Sequence, residues 1–154
     1  MPPFAPRPSL RRPPPHNATR LHETNFTKLQ LVIPGIRDIA GPICLQGDDE
    51  SRLSLEILEK SRYTTTFSLR LRLHQAHRWL PVLQMKVRTY HDARVAEVLA
   101  FEDHHHLQAR YEYPNPRMYH RDEKRQLNRF LGDWLDHCLR TRCIYRHRPQ
   151  PLDV

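Results

Sequence analysis

Apolar-alternating runs follow one another here with short connections between them and no helical pattern separating them. They are RLSLEIL at 52–58, YTTTFSLRLRL at 63–73, LQMKVRTY at 83–90 and RVAEVLAF at 94–101. Parallel neighbours need long crossovers, whereas antiparallel neighbours are joined by short turns. The order therefore predicts an antiparallel meander rather than β-α-β units. ICLQ at 43–46 adds a short strand in front, and LQARYEY at 107–113 closes the set. Leu53, Leu55 and Ile57 share one face, as do Leu69, Leu71 and Leu73, and Leu83, Met85 and Val87. That parity is expected to face the core.

Helical periodicity brackets the strands. Leu21, Phe26, Leu29, Val32 and Ile33 keep roughly one face, behind Asn17 as N-cap or a start as late as Asn25, and Pro34-Gly35 ends the run. From Tyr119 to about Thr141 the apolar residues Leu127, Phe130, Leu131, Trp134, Leu135, Cys138 and Leu139 recur at helical spacing. Asp122 and Glu123 near its start and Arg140 and Arg142 near its end suit the helix dipole. The expected fold is α+β, a meander of about five or six strands with both helices on one face.

Organisation follows from composition. Seven of the first fifteen residues are proline, which favours extended conformers over a packed element. Residues 1–16 are expected to be a Pro-rich disordered segment, 17–142 a single domain and 143–154 a basic flexible tail. The net charge of +8 belongs largely to the ends, since residues 1–24 and 140–154 carry +3 each. Basic tails attract nucleic acid or anionic surfaces, and they also simply confer solubility. Cys44, Cys138 and Cys143 form no Cys-x-x-Cys, no apolar secretory segment precedes them, and no run is long enough to span a membrane. A reduced, cytoplasmic protein is expected, with Cys138 as a small core residue.

The outward strand parity carries Arg52, Ser54, Glu56, Arg70, Arg72, Lys86, Arg88, Arg110 and Glu112. Such a basic face suits an anion or a nucleic acid, yet RNA-binding sheets stack bases on aromatics and only Tyr90 has that parity. A solvated face with cross-strand Arg–Glu pairs is the preferred reading.

Motifs for chemistry are sparse. His91-Asp92 sits where the chain must reverse and is read first as a turn, because aspartate caps nearby amides and adjacent residues rarely form a dyad. His104, His105 and His106 fan outward in a loop, with no partner at a zinc-ligand spacing. YPNPRMYHRDEKRQ at 113–126 clusters polar groups around a helix start, where backbone amides can meet an anion. Only four glycines occur, and no phosphate loop, GxSxG, HExxH or DxDxDG is present. No metal site and no cofactor is expected.

Taken together, EKSRYTT, VRTYHDARVAEV, ARYEYPN and HRDEKRQLNRFLGDWLDHCL, in this order and spacing, resemble the YqiB-like family. These are small, predicted cytoplasmic proteins of gammaproteobacteria, grouped as a domain of unknown function. The resemblance spans about Asn25 to Leu139 and leaves out the Pro-rich start, the HHH loop and the RTRCIYRHRPQ tail. It implies no activity. It directs attention to Arg62, Tyr63, Tyr90, His91, Asp92, Arg110, Tyr113, Asn115, Arg121, Asp122, Glu123 and Lys124. Strand directions in a meander bring Arg62, Tyr90, His91, Asp92, Tyr113, Asn115 and the last helix's start toward one sheet end.

Three functional readings stay open. The first is a non-enzymatic accessory or interaction domain with a protein partner. The second is a small-anion or nucleotide-binding domain, or an uncommon enzyme, using the 91–92 and 113–124 regions. The third is weak nucleic-acid binding through the tails or the sheet face.

Overall fold

A computed structural model describes residues 15–103 and 121–146, with the side chains of 19–101 and 123–146. Helix α1 (Pro15–Val32) leads through a 3-10 turn (Ile36–Asp38) into strands β1 (Ile43–Gln46), β2 (Arg52–Lys60) and β3 (Thr64–Arg72). A small hairpin, β4 (His74–Gln75) and β5 (Arg78–Trp79), interrupts the meander before β6 (Leu83–Tyr90) and β7 (Val95–Asp103). Helix α2 (Arg121–Arg140) ends the domain. The main sheet has five strands in the order β1-β2-β3-β6-β7, all pairs antiparallel. The fold is α+β, as the alternating runs predict. The strand expected at 107–113, the HHH loop, Arg110, Tyr113 and Asn115 lie outside the described residues.

Period-two alternation decides which face is buried. Leu53, Leu55, Phe67, Leu69, Leu71, Met85, Val87 and Val98 are buried on one side. The helices cover that side with Phe26, Leu29, Val32 and Ile33 from α1 and Leu131, Trp134, Leu135 and Cys138 from α2. Phe130 stands edge-on between Phe101 and Trp134, with ring centroids 5.7 and 5.3 Å away, a favoured aromatic geometry.

Polar bonds hold the two helices together. Lys28 pairs with Asp136 at 3.0 Å. Asn25, fully buried, donates from Nδ2 to the Asn128 carbonyl at 2.7 Å. Gly132 allows this approach, since a Cβ there would stand 2.9 Å from Asn25 Oδ1. The end of α2 reaches the β1–β2 turn, where Asp48 N–H donates to the Thr141 carbonyl at 2.7 Å and His137 meets Asp49 at 3.0 Å. Burial alone would raise the Asp49 carboxyl, but the Ser51 hydroxyl and amide and the neighbouring His137 bring it below the usual range.

Helix α1 begins at Pro15. Proline costs nothing in a first turn, where its missing N–H would have had no intrahelical partner. At the other end the chain stays against α1 through Tyr145. Arg142 adopts a left-handed φ of 57° and the Cys143 amide donates to the Cys138 carbonyl at 2.8 Å, a Schellman ending. That turn folds Cys143 into the core, and the Tyr145 amide donates to the Val32 carbonyl at 2.8 Å. The Cys138 thiol donates to Cys143, which pushes Cys138 up and holds Cys143 down despite burial.

Candidate functional site

The two turns at the lower end of the sheet meet. The His91 amide donates to the Tyr63 carbonyl at 2.8 Å, because β3 and β6 are partners and Thr64 lies opposite Tyr90. His91 Nε2 and Thr65 Oγ1 share a 2.8 Å hydrogen bond. Arg37 donates to the Arg62 carbonyl at 3.1 Å, and the Arg62 guanidinium lies over the Tyr63 ring, 5.2 Å from its centroid. Tyr63 is 47 % exposed and Asp92 is exposed. A second group forms where Tyr90 donates to Glu97 at 3.5 Å and Lys124 pairs with the other oxygen of that carboxylate at 3.1 Å. Glu123 is exposed, and the backbone of Arg121 and Asp122 forms the start of α2.

Of the expected residues, then, Arg62, Tyr63 and His91 are in contact at the paired turns. Tyr90 and Lys124 meet only through Glu97, which the sequence reading did not single out. His91-Asp92 is a turn, closing the chain reversal between β6 and β7. Thr65, the hydroxyl beside His91, is fully buried and so has no open side for a substrate. No group of three histidines, cysteines or carboxylates among the described residues could hold a metal ion.

His91 is held below its ordinary pKa of 6.5, first by burial and then by the Arg37 and Lys60 charges, with Asp92 and Asp38 opposing. The folded state therefore favours the neutral ring. This contribution to stability is fully present above pH 6.5 and is lost as pH falls through the folded-state value. Urea unfolding of wild type and His91→Gln across that range should show the gap between them narrowing as pH falls. A constant gap would mean that His91 keeps its solution pKa.

The outer face of the sheet is uncovered by either helix and carries Arg52, Arg70, Arg72, Lys86 and Arg88. Among the described residues no cross-strand Arg–Glu ion pair forms on this face. Arg52 lies opposite Arg72, Arg70 between Ser54 and Gln84, and Lys86 between Ser68 and Ala100. Arg88 faces Glu97 in register but donates to Thr66 at 2.9 Å, while Glu97 holds Lys124 and Tyr90. None of the five basic groups makes an ion pair with a described residue. Trp79, brought back by the β4–β5 hairpin, adds an aromatic that the sequence reading did not place here: both Arg52 and Arg72 lie over its ring. A shallow groove beside them runs from Pro42, Ile43 and Cys44 across Ser54 and Glu56 to Ser68 and Arg70.

The family model described as "Protein of unknown function (DUF1249)" matches residues 28–143. The chain belongs to this family. The match runs from the middle of α1 to Cys143 and so takes in the whole sheet, the hairpin and α2. Three curated relatives, from Escherichia coli strains K12, O6:H1 and O157:H7, are each called "Uncharacterized protein YqiB". Each is 40% identical over 121 residues, covering 78% of this chain and 84% of the relative. No solved structure matches the chain. No helix among the described residues is long and apolar enough to cross a membrane.

Proposed function

We propose that the protein is a non-enzymatic cytoplasmic interaction domain whose open sheet face docks an acidic segment of a partner protein. The observation that carries this is the outer face itself: five basic side chains without a described carboxylate partner, on a sheet whose other side is closed by helices. Unpaired like charges on one face repel one another and raise the local potential, which a complementary acidic chain relieves. The polar groups at the lower sheet end bond mostly to one another and hold turns together, as buried loop groups must.

Fluorescence anisotropy of a short labelled Glu-rich peptide, at low and physiological salt, tests the reading. Wild type should bind, more weakly as salt rises. The double reversal Arg70→Glu/Lys86→Glu should lose at least about tenfold in affinity. No binding by wild type, or equal binding by the reversed variant, would overturn it.

A further inference from the structure

The strongest local device on that face is built by the hairpin. Strand β3 ends at Arg72, and His74-Gln75-Ala76-His77-Arg78-Trp79 turns back immediately. Ala76 and His77 both take left-handed φ values, 51° and 62°, as a tight two-residue hairpin turn demands. Residues with a Cβ are strained there relative to glycine. The turn is nonetheless firmly seated. The His74 amide donates to Ser51 Oγ at 3.2 Å and the Leu80 amide to the Leu73 carbonyl at 2.8 Å. The His74 ring packs on Trp79 with centroids 4.7 Å apart.

The result is that Arg52 and Arg72, directly opposite on β2 and β3, share one indole at 5.0 and 4.8 Å. Like charges facing each other across strands are destabilising, and the indole offsets part of that by cation–π attraction. A stacked guanidinium uses its face and leaves its in-plane N–H fork free. The acids of the adjoining β1–β2 turn point to other partners. Asp48 meets Arg142 at 3.8 Å, Asp49 holds Ser51 and His137, and Glu50 pairs with His74 at 3.1 Å.

We infer that Arg52 and Arg72, aligned by Trp79, form a two-pronged carboxylate grip that takes neighbouring acidic side chains of a partner protein. This rests on the interaction reading above and names its centre. Guanidinium forks suit planar carboxylates, which accept two N–H groups from each guanidinium. A nucleic acid fits less well, because base readers need an open aromatic face. Trp79 is already shared by two guanidinium groups and a histidine ring.

The test is the double variant Arg52→Lys/Arg72→Lys, which keeps both charges and removes both forks. Its affinity for the labelled Glu-rich peptide should fall about tenfold, while weak binding of a labelled oligo-dT stays unchanged. The wild-type protein gives an independent reading: on titration with the peptide, the Nε–H resonances of Arg52 and Arg72 should shift ahead of that of Arg88. If the peptide binds, the lysine variant matches wild type and those resonances stay still, the grip is wrong while the interaction face stands. If wild type ignores the peptide, both fail. If oligo-dT binds tighter than the peptide through the same two arginines, the partner is a nucleic acid and the inference is overturned.

Discussion

Asn128→Ala is expected to lower the unfolding free energy by about 3 kcal/mol, more than a truncation of this size does on a helix surface. Asn128 is 2 % exposed and ties three elements together. Its Oδ1 accepts the Val98 amide of β7 at 3.0 Å, and its Nδ2 donates to the Lys124 carbonyl at 2.7 Å. Its own carbonyl accepts Asn25 of α1. Alanine keeps the last of these and strands the Val98 amide in a buried place, where a lone donor bears its full desolvation cost. Chemical unfolding and amide exchange at Val98 both report on this. A loss under about 1 kcal/mol, with Val98 still protected, would mean that the amide finds another acceptor.

Phe67→Ala is expected to cost about 4 kcal/mol. Phe67 is fully buried at the middle of the central strand, opposite Ile57 on one side and Val87 on the other. Neighbours fixed in two strand ladders close only part of the space that the ring vacates, so a cavity adds to the lost transfer energy. Arg70→Ala, on the same strand but on the outer face, should stay within about 0.5 kcal/mol. Urea midpoints at an unchanged slope would compare the two, and a larger loss at Arg70 than at Phe67 would mean that the faces are assigned the wrong way round.

Alternation and helical spacing made most of this architecture legible. Leu53 and Leu55, Leu69 and Leu71, and Met85 and Val87 are buried because a two-residue period with one covered side leaves no other solution. The stripe from Leu131 through Leu135 to Cys138 is equally explicit. The β4–β5 hairpin escaped because its strands are two residues each, too short for a periodic signal, and because Ala76-His77 lacks the usual Asn-Gly or Gly signature. With it went Trp79. Parity puts Arg52 and Arg72 on one face, but only the register makes them partners. Glu97 was hidden inside an apolar run. Asn25, considered as a helix start, proves to be a buried mid-helix residue in step with Leu29 and Val32. An asparagine at core spacing on two separate helices is the signal that would have revealed the Asn25–Asn128 contact.

The stitching of α1 to the chain's last described residues also bears on how the protein is made. Asn25 bonds to Asn128, Lys28 to Asp136 and Val32 to Tyr145, so the first helix reaches its final partners only across more than a hundred residues. Contacts so distant in sequence slow folding, because a long loop must close before they reward it. On the ribosome the sheet can pair early, but its apolar underside stays without α2 until Tyr145 has emerged. Until then α1 alone covers that side, and chains halted before α2 are natural clients for a holdase or a protease.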